Sequence, residues 1–279
     1  MAIQLREPLK AETLPFPCTK KAFVDIYCEQ HPNLSKQDIL FIHGNLASTQ
    51  WWKPALNEWK KQGPAGDRSI LLADWRGCGR NPDWPADQAF TIEDLARDFL
   101  ALLHERKIDE VVLVGHSLGG LIALQMMILD PRRVARAALL DPVGARGVVF
   151  DDSTYEAFRQ MAGNRELTRS VILNTVRHQE KLDEDLKEII SDGAFKAVKG
   201  IGSSVLEILK TVNLSEPARR VKTPTLILHG QEDTVIPLED SRALADLMPN
   251  AKLEILPEAG HCWNVENPAA FVRRLREWL

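Results

Sequence analysis

The sequence predicts an α/β fold with a mostly parallel central sheet flanked by helices. Three observations carry that expectation: short apolar runs recur along the chain, amphipathic helical segments separate them, and a glycine-flanked turn joins one run directly to a helix. Apolar strands alternating with helices imply parallel pairing with both faces covered, because each crossover helix must lie over the sheet. With 279 residues, 44% of them hydrophobic and 27% charged, the chain can bury a large core.

Strands are expected at Ile39–Ile42, Ser69–Ala73, Val111–Val114, Ala137–Leu140, Thr225–Leu228 and Lys252–Leu256. The helices between them carry their own punctuation. Thr91-Ile-Glu-Asp94 is a capping box ahead of the amphipathic stretch to His104, with Asp where Glu or Gln is usual. Leu118–Leu129 is apolar and helix-forming until Asp130-Pro131 stops it, and Asn267-Pro268 supplies a cap and an N1 proline for a last helix over Ala269–Trp278. Between Pro142 and about Val212 the strands vanish. Ser153-Thr-Tyr-Glu156 opens a helix there as a capping box; others follow over Leu167–His178, Leu182–Ile190 and Phe195–Leu209, the last broken at Gly200 and Gly202. The expected organisation is therefore a core in two parts, residues 1–142 and 213–279, with a helical cap over 143–212. Such a cap would lie over the carboxyl ends of the strands, where open α/β sheets bind ligands.

The formal net charge of −4 and pI near 6.0, with Lys and Arg dispersed among acids, give no electrostatic footprint for nucleic acid. Met1–Cys18 mixes Arg6, Glu7, Lys10 and Glu12 with prolines and has no apolar core of a signal peptide, and no later run is long enough to span a bilayer. A cytoplasmic monomer or homodimer acting on a small molecule, without membrane insertion, is expected. Cys18, Cys28, Cys78 and Cys262 form no C-x-x-C pair and read as free thiols. Gly77-Cys-Gly79 begins like a dinucleotide loop, yet Pro82 holds the third glycine position, and no Walker A or H-E-x-x-H occurs. Neither cofactor nor metal is expected.

The chemistry concentrates at Gly115-His-Ser-Leu-Gly119, between a β-branched run and a helix start. A serine hydroxyl is a poor nucleophile until it is held clear of its backbone, next to a base and next to donors for the oxyanion it generates. Glycines two residues on either side of Ser117 permit the sharp bend that does this. The base expected is His261, in Pro257-Glu-Ala-Gly-His-Cys262 after the last strand. Asp233, after Thr225–Leu228, is expected to orient it, with Glu232 and Asp141 as rivals. Oxyanion donors are expected from the N–H groups of Leu118 and of Asn45, in the loop His43-Gly-Asn-Leu-Ala-Ser48, and the Asn45 side chain is a further donor. His43 and His116 read as structural hydrogen-bonders. Trp51, Trp52, Trp75, Trp84 and Trp263 either line an apolar acyl pocket or pack under loops, with Trp263 the best placed for binding; Phe158 and Leu206 are the apolar cap residues expected to face the cleft.

Taken together, His43-Gly44, Asp74-Trp-Arg-Gly-Cys-Gly79, Gly115-His-Ser-Leu-Gly119, His229-Gly-Gln-Glu-Asp233 and Gly260-His261 resemble the α/β-hydrolase superfamily in its cap-bearing, esterase-like branch. The resemblance covers both halves of the core and not the cap. It implies a cap inserted after the sixth strand, a triad of Ser117, Asp233 and His261, an oxyanion hole at Asn45 and Leu118, and cofactor-free hydrolysis of a carboxylic ester or lactone. C–C bond hydrolases, amidases, thioesterases and perhydrolases share that triad, and a non-catalytic ligand receptor could be built on the same fold. Two departures stand out: Asn81 replaces the serine of many relatives, and His-Gly-Asn replaces the His-Gly-Gly-Gly of many lipases. An aspartate nucleophile, as in haloalkane dehalogenases and epoxide hydrolases, is excluded by Ser117.

Overall fold

The structure is a computed structural model that describes residues 24–63, 66–85 and 88–279. The N-terminal stretch read above, Cys18 included, lies outside the described residues. Among the described residues seven strands form one sheet: β1 (Cys28–Ser35), β2 (Ile39–Ile42), β3 (Arg68–Ala73), β4 (Val111–His116), β5 (Val134–Leu140), β6 (Thr225–Gly230) and β7 (Ala251–Leu256). Their order across the sheet is β1-β3-β2-β4-β5-β6-β7, with β1 antiparallel to β3 and every other pair parallel.

The sheet is buried on both faces, as the apolar runs require. Along β2, Leu40 and Ile42 join one core cluster and Ile39 and Phe41 the other, which is the two-residue alternation of a strand covered on each side. The first cluster contains apolar residues of α2 (Ile92–Glu105) and α3 (Leu118–Leu129); the second contains those of α1 (Lys53–Lys61) and α10 (Pro268–Trp278). Both halves of the Thr91–Asp94 capping box are made, and the Asn267 side chain accepts the Ala270 N–H at the start of α10.

Sequence periodicity missed β1. Its residues Cys28-Glu-Gln-His-Pro-Asn-Leu-Ser35 are mostly polar and include Pro32, which only an edge strand tolerates, and its register slips between His31 and Ser35.

Residues 152–211 form α4 (Asp152–Gly163), α5 (Arg165–Leu173) and α6 (Glu184–Thr211), in the connection from β5 to β6 that ends with the short α7 (Ser215–Ala218). The insertion follows the fifth strand among the described residues. Three local expectations change. The cap of α4 is Asp151, whose side chain takes the Thr154 N–H and the Ser153 hydroxyl, rather than a box from Ser153 to Glu156. Helix α5 stops at Leu173, and His178 turns left-handed at φ 58°. Helix α6 runs unbroken through Gly200 and Gly202; a Cβ at Gly202 would come within 3.3 Å of Phe158 on α4, so that glycine serves close helix packing instead of a break. The chain continues through α8 (Leu238–Leu247) and α9 (Trp263–Glu266). Among the described residues no helix is long and apolar enough to cross a membrane.

Candidate active site

Ser117 joins β4 to α3 with φ 54° and ψ −120°, a backbone that costs a non-glycine residue of order 1–3 kcal/mol and persists only where its surroundings dictate it. They do. Its N–H donates to the Leu140 carbonyl at 2.9 Å, and its carbonyl accepts the Val143 N–H at 3.2 Å. The flanking glycines follow from packing: a Cβ on Gly115 would collide with the Gly119 carbonyl, and one on Gly119 with the carbonyl of Ile42 on β2. Gly44 likewise lets the loop after β2 approach Ser117, since a Cβ there would stand 3.0 Å from that of Ser117.

His261 follows β7, and its Nδ1–H donates to Asp233 Oδ2 at 2.7 Å, with both side chains buried. The other carboxylate oxygen of Asp233 accepts the N–H groups of Val235 at 2.6 Å and Ile236 at 3.0 Å. Burial pushes this carboxyl up, but the hydrogen bond and charge of His261, together with those two N–H donors, outweigh it and leave the group below the usual aspartate range. The rivals are placed differently. Glu232 is half exposed and pairs with Arg177 at 2.8 Å. Asp141 is fully buried at the end of β5, accepts the Gly230 N–H at 2.7 Å, and is held well above the usual range by burial and by the Asp233 carboxylate beside it.

His43 is buried against Trp75, ring centroids 5.5 Å apart, with Nδ1 on the Gly44 carbonyl, and burial keeps it neutral. His116 supports the loop that carries His261 more than the turn at Ser117: its Nε2–H donates to the His261 carbonyl at 2.8 Å. Burial and the neighbouring His261 push it down to about 3, so it remains neutral at ordinary pH. Leu118 opens α3, so its N–H has no partner within the helix. Asn45 lies beside Gly44, and its Oδ1 accepts the Leu46 N–H at 2.9 Å, which ties the side-chain carbonyl to the local backbone.

Gly44, Asn45, Ser117, Leu118 and His261 all line one cavity of about 220 Å³. Phe158 lines it as expected. Leu206 and Trp263 do not: Leu206 is 1% exposed while Leu209, about 60° around the same helix, faces the cavity; Trp263 packs edge-on to Phe271 at 6.1 Å in the second core cluster. Of the tryptophans considered, Trp51 is on the wall, and Trp84 packs against Phe90 and the Arg76 guanidinium. Met161 and Ile172 also line it, and no motif marked them, because apolar helix positions facing a cavity and facing a core read alike; Thr175, in the turn after α5, lines it too. Donor atoms converge within 4.8 Å in two groups among the described residues, His116 with Asp141 and His261, and Asp141 with His229 and Asp233. His261 and Asp233 already satisfy one another there, which opposes a metal between them.

The fold and this constellation define an α/β hydrolase, and the profile of the alpha/beta hydrolase fold family matches residues 39–268. The chain belongs to that family. It is 27% identical over 266 residues to a protein of Variovorax paradoxus provisionally named carbamate hydrolase RutD, covering 91% of this chain and 96% of that one. It is 26% identical to the 2-hydroxymuconate semialdehyde hydrolase of Pseudomonas sp. strain CF600, with 86% of each chain covered. The structure of a thermophilic esterase from Thermogutta terrifontis shares the fold, with a TM-score of 0.75 at 22% identity over 94% of this chain and 95% of the other.

Proposed function

We propose that this protein is a serine hydrolase that cleaves uncharged, largely apolar carboxylic esters or lactones of small to medium size through an acyl-enzyme on Ser117. The observation that carries this reading is the lining of the cavity at Ser117, which among the described residues includes no lysine, arginine, aspartate or glutamate. 2-Hydroxymuconate semialdehyde, the substrate in one relative's name, is an acid. Its carboxylate would be taken from water without a cationic partner, which costs several kcal/mol. An uncharged acyl group meets no such penalty.

On this reading Ser117 Oγ attacks the acyl carbonyl while His261 Nε2 takes its proton, and Asp233 stabilises the imidazolium. The N–H groups of Leu118 and Asn45 receive the oxyanion. Collapse expels the alkoxide, which takes the proton from His261 and leaves an acyl-serine. Water then gives a proton to His261 and attacks the acyl carbon; His261 returns that proton to Ser117 as the carboxylic acid leaves. Residues 143–212 act as the cap that selects the acyl group, over a core made of 1–142 and 213–279.

Turnover of p-nitrophenyl acetate and butyrate, compared with Ser117→Ala, tests the proposal. A fluorophosphonate probe should label Ser117. Binding of these esters without turnover would favour a receptor, and labelling at another residue would remove Ser117 from its role.

A further inference from the structure

Glu266 stands at the end of α9, and its carboxylate folds back onto the loop that carries His261. Oε2 accepts the Gly260 N–H at 2.8 Å, and Oε1 accepts the Cys262 N–H at 3.1 Å, so the residues on both sides of His261 hang on one side chain. Oε1 also accepts the N–H of Arg177 at 2.9 Å, from the segment between α5 and α6. The Arg177 guanidinium extends this tie. It donates to the Glu258 carbonyl and pairs at 2.8 Å with Glu232, the residue before Asp233. The seam is tightly closed: a Cβ on Gly260 would stand 2.8 Å from both Glu266 Oε1 and Arg177 Cβ. Hydrogen bonds to a carboxylate are about twice as strong as neutral ones, and a base displaced by about 1 Å can lose about 10²-fold in rate.

We propose that Glu266 is a positioning residue that holds His261 in place for Asp233, and that Arg177 makes the helical insertion part of the same support. The loops bearing the base and its orienting acid are thus braced from the insertion as well as from the sheet. The kinetic part of the test rests on the acyl-enzyme reading; the spectroscopic part does not.

The experiment compares wild type, Glu266→Gln, Glu266→Ala and Arg177→Ala as full chains, with circular dichroism to check folding. The first readout is the low-field proton resonance of His261 Nδ1–H in its bond to Asp233, identified by its loss in Asp233→Asn. The second is kcat and KM on p-nitrophenyl butyrate. Glu266→Ala should broaden or lose the resonance and lower kcat about 10²-fold with KM within about threefold. Glu266→Gln keeps an acceptor oxygen for Cys262 and Arg177 and should recover about tenfold of that loss, with Arg177→Ala falling between wild type and Glu266→Ala. An unchanged resonance with kcat within about twofold of wild type in Glu266→Ala overturns the proposal, as does a glutamine variant no better than alanine. Should Glu266→Ala fail to fold, Arg177→Ala decides, and a wild-type resonance and kcat there overturn it. Lack of ester turnover by the wild type would count against the acyl-enzyme reading and leave the resonance to judge the brace.

Discussion

The cavity has two walls of different character. The wall formed by the loops at the strand ends contributes Asn45, His116, Ser117 and His261, whereas the wall from the helical insertion contributes Phe158, Met161, Val171, Ile172 and Leu209. Thr175 is the polar side chain on the insertion wall, and its hydroxyl already donates to the Ile172 carbonyl at 2.7 Å. Backbone strain gathers mainly on the first side: Leu46, Ser117, Asp141 and Glu258 have positive φ on strand-end loops, whereas in the insertion the non-glycine residue with positive φ is His178, between the regular helices α5 and α6. Strain of this kind persists where geometry must be exact for chemistry. On the proposed mechanism, bond-making belongs to the first wall and selection by shape to the second.

The largest effect that could break this division is at Asp233. The orienting acid fixes the histidine tautomer and stabilises the imidazolium, so Asp233→Asn should lower kcat on the order of 10⁴-fold with the fold intact by circular dichroism. A loss below about tenfold would move the orienting role elsewhere on the strand-end wall.

The two walls were also unequally legible in the sequence. Gly115, Ser117 and Gly119 could be read because backbone crowding at the elbow forbids side chains there, as the carbonyls of Gly119 and Ile42 show. Asp233 and His261 could be read from their positions after β6 and β7, and their 2.7 Å hydrogen bond joins residues 28 apart in the chain. The insertion wall gave no such signal. Leu206 and Leu209 are both buried apolar residues of α6, and only the placement of α6 decides which one meets the cavity. Trp263 lay two residues past His261, yet the turn into α9 carries it to the Phe271 side of the sheet. Edge strand β1 went unseen because its polar residues and Pro32 lack strand periodicity.

The insertion wall makes an intermediate prediction. Phe158→Ala and Leu209→Ala remove apolar surface that lines the cavity and would touch the acyl group of the proposed substrates, and one methylene in such a pocket is worth about 10- to 200-fold in discrimination. Each variant should shift the ratio of kcat/KM between p-nitrophenyl hexanoate and acetate by about tenfold or more while Ser117 remains probe-reactive. An unchanged ranking in both would return selection to the strand-end loops.

The smallest effect sharpens the comparison most, because Asp141 lies on the strand-end side and the proposed mechanism gives it no part in the chemistry. Burial, the facing Asp233 carboxylate and the negative charge of Glu266 outweigh the Gly230 N–H bond and hold its carboxyl well above the usual aspartate range, with His116, His229 and His261 as the other titratable neighbours. Asparagine copies a protonated acid in shape and can keep the Gly230 N–H bond, now 2.7 Å. Asp141→Asn should therefore lose less than about tenfold in kcat, under about 1.4 kcal/mol of barrier. Stability should respond with a definite sign. From about pH 4 upward the unfolded chain releases this proton while the folded chain retains it, so wild type loses up to about 1.4 kcal/mol of stability per pH unit until the folded group titrates. The variant has no such proton. Its Tm relative to wild type should rise between about pH 4 and 7 in thermal melts. A flat or falling difference would mean that Asp141 is ionised in the folded protein, and a kcat loss rivalling that of Asp233→Asn would make Asp141 the orienting acid.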